Sequence, residues 1–434
     1  MKNFTWNRRN FITRSIGCLG ASQLLSSSGF LFAQSDKAAP KPAASGKVIT
    51  RTLGKTGITV PVVSMGVMNA DSPGVLHRAY EVGIRLFDTA AGYQMGRNEE
   101  MVGNVIKELG VRDKVIIVTK EHVGGGGFGA PVAGDPAEMK AKFRQDVEAS
   151  LKRLQMDYVD ILYIHGAGDP SIFAPGGVFE TSLALKKEGK ARFVGFSTHS
   201  PELMLTEAAK AGNVDVVQFM LNYPMSLPSA PAAPGPGGRG GFGMPQVDYP
   251  NLLKAMDAAS KKGIGLIAMK TQAGGTQRPD AKITKPLSPV SQTALLKWVL
   301  QHENVTTCIP GFTTYDQLQQ NFSVASSLTL TPEEKDFLTP KNAVAAEFCH
   351  QCGECRADCS LKADIPTLMR SHMYAVQYAR PALASDTLAS IAPGQGLAAC
   401  SDCTTCKASC RKSVNIPRKI EQLKELSAKG VLTV

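Results

Sequence analysis

Eight cysteines fall into two runs of identical spacing: Cys349, Cys352, Cys355 and Cys359, then Cys400, Cys403, Cys406 and Cys410. Each run reads C-x2-C-x2-C-x3-C. Thiolates stepped every third residue can wrap successive corners of an iron-sulfur cube, with the fourth closing that cube or its neighbour. The doubled run therefore predicts two four-iron four-sulfur (4Fe-4S) clusters. Structural zinc is the competing chemistry, but zinc sites usually pair one C-x2-C with a distant second pair and rarely use three equally spaced ligands. Ser360 and Arg411 stand where a proline often follows such a run, and proline comes later in both copies, in Asp364-Ile365-Pro366 and Asn415-Ile416-Pro417. The shared offset marks two copies of one unit.

A second set of chemically capable residues is scattered along the chain: Asp88, Tyr93, Lys120 and His165. Each sits at, or just beyond, the end of a short apolar run. Such runs span Val63 to Met68, Leu86 to Ala90, Val115 to Lys120, Val159 to His165, Phe193 to Phe196, Val216 to Tyr223, Gly265 to Lys270 and Thr306 to Gly311. Amphipathic stretches such as Glu99 to Leu109, Glu138 to Leu154 and Gln292 to Gln301 separate them, and Arg51 to Ile58 reads as a small hairpin ahead of the first run. This alternation predicts a parallel α/β fold, and eight repeats of it predict a closed (β/α)8 TIM barrel. In such a barrel the strand ends open into one mouth, so residues far apart in sequence can converge there. One Lys or His at a strand end is unremarkable, whereas this set at successive strand ends predicts a catalytic pocket.

Phe87-Asp88-Thr89-Ala90-Ala91-Gly92-Tyr93, Asn98-Glu99-Glu100 with Gly103, Val118-Thr119-Lys120 and Asp160 to His165 together resemble the aldo/keto reductases over roughly Thr50 to Ser327. Val194 to Ser197, Gln218 and Ile309-Pro310-Gly311 with Asn321 extend the likeness. The resemblance implies that Asp88, Tyr93, Lys120 and His165 form a catalytic tetrad, and that Ser197, Thr198 and Gln218 hold a nicotinamide carboxamide. It also implies that Gly311, Gln317 and Asn321 belong to the dinucleotide site. Residue chemistry agrees on the tetrad: an ammonium at Lys120 would favour the phenolate and so help Tyr93 give up its proton, while Asp88 keeps that ammonium charged and His165 orients a carbonyl oxygen. Thr198 replaces an expected Asn, Met269 an expected aromatic ring, and Pro310 to Thr313 carries no Lys or Arg for a 2′-phosphate. These departures leave NAD against NADP open.

The chain of 434 residues has a formal net charge of +11 and 43% hydrophobic residues. Lys2, Arg8, Arg9 and Arg14 precede any acid, so without them the charge is 11 − 4 = 7. From Cys349 onward eleven Lys and Arg face seven Asp and Glu. That local excess suits the anionic charge of thiolate-bound clusters. With no basic stripe and no aromatic-basic module, nucleic-acid binding is excluded as a reading. Asn7-Arg8-Arg9-Asn10-Phe11-Ile12 and the apolar stretch from Ile16 to Ala33 resemble a twin-arginine signal peptide. The expected organisation is a leader over 1–33, a linker over 34–47, the barrel over 48–330, a connecting helix over 331–348, and a small, mainly helical, ferredoxin-like domain over 349–434. Gly124 to Gly127 and the Pro/Gly-rich segment Pro224 to Pro250 would lie on the catalytic rim. No other apolar run has the length of a membrane span.

The expected protein is an exported, periplasmic or extracytoplasmic oxidoreductase that acts on a small carbonyl or alcohol substrate and exchanges electrons with a one-electron partner protein. The twin-arginine export machinery would be a second partner. Hydride moves two electrons and each cluster takes one, so a flavin, a radical intermediate or the partner must bridge them, and no flavin motif is evident. Any NAD(P)(H) would have to travel tightly bound. The alternative expectation is an electron-transfer or docking module whose barrel has lost nicotinamide chemistry.

Overall fold

Strand β1 (Thr50–Thr52) pairs antiparallel with β2 (Thr59–Pro61), as the hairpin reading predicts. In the computed structural model, which describes residues 47–123, 134–227, 248–272, 289–339, 349, 353–377, 380–401, 403, 406–410 and 414–433, this hairpin closes one end of a barrel. Its apolar side chains Leu53, Ile58 and Val60 pack with Leu86, Val118, Ile161, Val216 and Ile267 from the barrel interior. The leader, the rim segments at 124–127 and 228–243, and Cys352 lie outside the described residues.

The barrel strands are β3 (Met65–Gly66), β4 (Leu86–Asp88), β5 (Ile116–Glu121), β6 (Val159–Ile164), β7 (Ala191–Thr198), β8 (Val216–Met220), β9 (Gly265–Met269) and β10 (Thr307–Cys308). They pair in sequence order and in parallel, and the bridges Val63↔Cys308 and Gly66↔Gly311 join the last strand to the first. The eight apolar runs are therefore eight strands of one barrel. β7 is longer than its apolar run because Ser197 and Thr198 continue the pairing with Gln218 and Phe219.

Eight helices accompany the strands: α1 (Pro73–Val82), α2 (Arg97–Leu109), α3 (Pro136–Leu154), α4 (Phe179–Lys187), α5 (Pro201–Ala211), α6 (Tyr249–Lys261), α7 (Pro289–Leu300) and α8 (Tyr315–Ser323). Their ends follow local chemistry. Asp135 and Asp248 cap α3 and α6 by accepting from Ala137 N and Asn251 N, each with a proline in the first turn. Helix α2 puts Val102, Val105 and Ile106 on one face, and that face is buried in the main core. Gly103 lets α2 approach the end of α3, since a Cβ there would meet the Leu154 carbonyl oxygen at 2.4 Å.

After the barrel, Thr331 opens α9 (Pro332–Phe337) with a capping box: Glu334 N donates to Thr331 Oγ1 at 3.2 Å and Thr331 N donates to Glu334 Oε2 at 2.8 Å. Glu334 also takes the Lys297 ammonium at 2.8 Å, which ties α9 to α7. The helical domain follows, with α10 (Ile365–His372), α11 (Pro381–Ala389) and α12 (Ile416–Ala428). Helix α10 ends at His372 and a π-helical turn, Met373–Gln377, carries on. The repeated Asp/Asn-Ile-Pro offset acquires a physical meaning here. Asp364 caps α10 through Thr367 N at 3.4 Å and Asn415 caps α12 through Arg418 N at 3.1 Å, so each repeat ends by starting a helix.

Two stability predictions follow from this packing. A Cβ on Gly195 of β7 would lie 1.7 Å from the Val216 carbonyl oxygen, so Gly195→Ala must force β7 and β8 apart. We expect a loss of about 3 kcal/mol or more, read as a lower urea midpoint. Glu121, the last residue of β5, is buried, and burial foremost raises its carboxyl to about 7 although Ser150 donates to it. A raised folded-state value means that stability is full below the unfolded-state value of about 4.3 and falls as pH climbs through 7. Glu121→Gln should therefore match the parent below about pH 4 and exceed it above pH 8, by up to about 3 kcal/mol. Equal pH profiles for the two proteins would refute this.

Candidate active site and cluster domain

Asp88 ends β4, Lys120 lies near the end of β5 and His165 follows β6 directly, so the parallel register brings all three to one mouth. Tyr93 joins them from the loop after β4. Lys120 Nζ donates to Asp88 Oδ1 at 2.5 Å, to the Thr89 carbonyl at 2.8 Å and to the Tyr93 hydroxyl at 3.4 Å. The His165 ring meets the Tyr93 ring edge-on at 5.7 Å between centroids. The structure thus assembles the four residues that sequence reasoning placed together.

The loop that carries Tyr93 is held in an unusual backbone shape. Gln94 and Met95 have φ of 51° and 55°, a region that side-chain-bearing residues seldom enter. Surrounding contacts over-determine it. Gln94 Nε2 donates to the carbonyls of Met68 and Ala70 at 3.3 and 3.0 Å. Asn98 Nδ2 donates to the Val67 carbonyl at 2.8 Å and its Oδ1 accepts from Thr89 Oγ1 at 2.7 Å. Glu99, fully buried, accepts from Thr119 Oγ1 at 2.5 Å, Ser150 Oγ at 3.1 Å and Arg153 Nε at 2.7 Å, which clamps α2 to β5 and α3. The Asn98-Glu99 pair is therefore scaffold for the Tyr93 loop.

Burial dominates the site's electrostatics. It pushes the Asp88 carboxyl up and the Lys120 ammonium down, and each is opposed by attraction to the other. Tyr93 retains open surface, but that surface faces a cavity, so its hydroxyl is pushed well up by desolvation and then by Asp88. Lys120 Nζ, held by Asp88, also lies 3.4 Å from the Tyr93 hydroxyl, where its charge favours the phenolate. Arg370 of α10 adds a cationic pull that lowers Tyr93. His165 is held well below its ordinary value by burial, then by His122 and Lys120, and His122 is lowered to about 4 by burial and then by Arg370. The two imidazoles stack at 4.4 Å and are neutral at pH 7.

The residues expected to hold a dinucleotide lie along the neighbouring strand ends. Ser197 Oγ accepts from Gly166 N at 2.9 Å, and Thr198 Oγ1 accepts from Ser200 N at 3.0 Å. Gln218 bonds to Asp88, while its Oε1 is buried with no hydrogen-bond partner among the described residues. A carboxamide N–H is a group that this oxygen could accept from, so the site fits a nicotinamide. Gly311 stands beside Gly66 and Asn69, and Asn321 Oδ1 accepts from Gln272 Nε2 at 2.9 Å. Gln317 Oε1 is occupied by Thr313 N and Oγ1, both at 2.9 Å, so it braces its own loop. Met269 packs against the interior apolar cluster.

Seven of the eight predicted cluster ligands are described, and Cys349, Cys355, Cys359, Cys400, Cys406 and Cys410 pack in or against one apolar core formed with α10, α11 and α12. Cys400 is raised to about 11, by burial first and then by Cys359, Cys406 and Cys403. The fourth cysteine of the first run thus sits among the first three of the second, and mutually repelling thiolates are the donors that an iron core stabilises. Among the described residues no three His, Cys, Asp or Glu side chains are grouped to hold a single metal ion. A cube holds its thiolates further apart than one ion does. Lys270, just beyond β9, is lowered to about 8 by burial and then by Arg370, and the charge of Cys349 opposes them.

Sequence reasoning passed over His122, Lys270 and Arg370. Lys270 and His122 follow strand ends, and the rule that singled out Lys120 and His165 would have found both. Arg370 belongs to no motif and lies far along the chain from its neighbours, so nothing local marked it.

Residues 65–292 match the aldo/keto reductase family, and residues 348–415 match a 4Fe-4S dicluster domain. The chain is similar to an L-galactose dehydrogenase of Arabidopsis thaliana, 25% identical over 69% of this chain and 94% of that protein. It is also similar to an L-glyceraldehyde 3-phosphate reductase of Escherichia coli (strain K12), 27% identical over 68% of this chain and 92% of that protein. An aldo-keto reductase structure from Bacillus halodurans, 24% identical, superposes with a TM-score of 0.51 over 69% of this chain and 98% of that one, so the two share a fold.

The grouping of Cys359 with Cys400, Cys403 and Cys406 makes a prediction about cluster loading. Cys359→Ser and Cys403→Ser should each remove the same cluster, so the double variant should keep the iron content and electron paramagnetic resonance signal of either single one. Cys355→Ser with Cys403→Ser should lose both clusters. Additive loss in the first pair would show that each run closes its own cube.

Proposed function

Because this chain belongs to the aldo/keto reductase family, we propose that it interconverts a small alcohol and its carbonyl compound in the barrel, and that its dicluster domain exchanges the two electrons, one at a time, with a partner protein, a flavin or a radical intermediate bridging hydride and clusters. The observation that carries the proposal is the Lys120 ammonium held between Asp88 Oδ1 and the Tyr93 hydroxyl beside the neutral His165 ring. Tyr93 stays protonated at neutral pH and opens onto the cavity, so it can give a proton to a carbonyl oxygen that is gaining charge, or take one back from an alcohol. Lys120 lies where it can steady the phenolate so formed, and Asp88 keeps the lysine charged and in place. His165, neutral at pH 7, can orient the reacting oxygen.

A nicotinamide dinucleotide supplies or accepts hydride when bound. Ser197, Thr198 and Gln218 would hold its carboxamide, with Asn321, Gly311 and Gln317 around the adenylate end. The absence of Lys or Arg from Pro310 to Thr313 favours a dinucleotide without a 2′-phosphate. The names of the two relatives, which act on L-galactose and on L-glyceraldehyde 3-phosphate, support a hydroxylated carbonyl substrate. The Asn7 to Ile12 segment supports export by the twin-arginine route, and cluster insertion before export accounts for a route that carries folded chains.

Tyr93→Phe should lower kcat by about 10²- to 10⁴-fold with little change in KM, in protein purified without oxygen and analysed for iron, sulfide, flavin and nucleotide. Full iron with no nucleotide and no turnover in the parent would favour the electron-transfer module instead.

A further inference from the structure

We propose that three hydroxyls of the helical domain, on Thr367, Thr387 and Ser390, receive the hydroxyl groups of a neutral, polyhydroxylated substrate held at the barrel mouth. This rests on the reading that Tyr93 handles the carbonyl or alcohol oxygen. A cavity of about 380 Å³ is shared by the barrel mouth and the helical domain, a size suited to a small ligand. Tyr93 and Gln94 line it from the barrel, while Thr367 of α10, Leu383 and Thr387 of α11 and Ser390 just beyond line it from the domain. A molecule reacting at Tyr93 therefore has the cluster-binding domain as one of its walls.

The neutral polar side chains of this lining direct their protons into the protein. Thr367 Oγ1 donates to Asp364 Oδ2, Thr387 Oγ1 to the Leu383 carbonyl and Ser390 Oγ to the Thr387 carbonyl, each at 2.7 Å. Gln94 Nε2 donates to the carbonyls of Met68 and Ala70 at 3.3 and 3.0 Å. A hydroxyl has one proton and two lone pairs, and a side-chain amide has two protons on its nitrogen. What these groups have left for a ligand is therefore acceptor oxygens, which match O–H donors and reject bare ring carbons. Tyr93 differs, because its hydroxyl is approached by Lys120 Nζ at 3.4 Å and keeps its own proton for the reacting oxygen. One donor for that oxygen and acceptors for the rest would orient a sugar-like molecule in a single sense.

Packing fixes the wall, and charge selects a neutral occupant. Leu383 and Thr387 stand one turn apart on α11, whose Leu383, Ala384 and Leu388 belong to the apolar core that holds the cysteines. Helix α11 packs against the Tyr93–Gly96 turn, the ion pairs Arg97–Asp386 and Arg380–Asp71 cross the same boundary, and the Tyr374 hydroxyl donates to Met68 Sδ at 3.2 Å. Arg356 and Arg370 also line the cavity, as do Asp364 and Asp386. Arg356 pairs with Asp364 at 2.7 Å, Asp386 pairs with Arg97, and Lys120 pairs with Asp88. The charge of Cys349 opposes the cations that act on Lys270, and the imidazoles of His122 and His165 are neutral at pH 7. From Cys349 onward Lys and Arg exceed Asp and Glu by 11 − 7 = 4. Two cubes, each with four thiolates, carry about two negative charges apiece and offset that surplus, the Arg370 charge included. With neither sign in excess, the substrate class is an uncharged aldose, ketose or polyol.

The test uses the full chain with both clusters, purified without oxygen, and calorimetric binding of matched probes: myo-inositol against cyclohexanol, and D-glucose against tetrahydropyran-2-methanol. In at least one pair the hydroxyl-rich member should bind about ten-fold or more tightly, with a ratio that does not change as salt is raised. Thr387→Val or Ser390→Ala, or both, should cut that ratio about three-fold or more, and Thr387→Ser should keep it. Iron content and unfolding midpoint should be unchanged in each variant that is scored. Equal binding within both pairs, no binding of any probe, or a ratio that survives both substitutions would overturn the proposal. So would tighter binding of D-glucuronate than of D-glucose, which would make the ligand an anion. Turnover of the same probes, followed with a one-electron dye and with added nucleotide, separates the two readings. Hydroxyl-dependent binding through Thr387 or Ser390 without turnover of any probe would sink the enzymatic reading and leave this one standing. Turnover of cyclohexanol as fast as that of myo-inositol, with equal binding of the two, would do the reverse.

Discussion

The buried ion pair between Lys120 and Asp88 is the constraint around which the barrel mouth is arranged. Two charges at 2.5 Å in a site closed to solvent are tolerated only if their remaining hydrogen-bonding capacity is met. Lys120 finds the Thr89 carbonyl and the Tyr93 hydroxyl, and Asp88 finds Gln218. Removal of either partner would strand the other, so the pair fixes the relative height of β4, β5 and β8 at their ends. The strained Tyr93 loop, the Asn98 bracket and the Glu99 clamp all serve to bring one phenol hydroxyl to that pair.

The helical domain bears on the same point from above. Helix α11 packs on the Tyr93–Gly96 turn, Tyr374 reaches Met68, and the Arg370 charge is felt at Tyr93 and at both imidazoles. A barrel that handled its substrate alone would have an open mouth, whereas here the mouth and the domain share one cavity. Cys349 acts on the charge of Lys270 beside the barrel mouth, while Cys359 acts on Cys400 of the second run. The two runs are thereby interleaved, and the chemistry of the pocket and of the clusters meets at one boundary.

The reading of individual residues shows why some features were visible in advance. Short-range signals were sufficient for the strands, because a run of apolar residues bounded by turns can bury only as a strand in an α/β layer. The capping residues Thr331, Asp364 and Asn415 act on backbone N–H groups two or three residues away, so their role is readable from spacing. The sequence carries no information on how Lys120 divides its hydrogen bonds among Asp88, the Thr89 carbonyl and the Tyr93 hydroxyl, which packing alone sets. Beyond His372 the chain widens into a π-helical turn, which no spacing announces, and Tyr374 within it reaches Met68.

By itself, the amino-acid sequence determined the barrel, the dicluster domain with its two cysteine runs and the convergence of four residues at the mouth, since each depends on periodicity, on spacing or on the end of a strand. Only the tertiary structure decided that Arg370, His122 and Lys270 surround that mouth and that Cys359 lies near Cys400 of the second run. These contacts join segments hundreds of residues apart or cross between repeats, and such distances are settled by how whole elements pack, which no local pattern encodes.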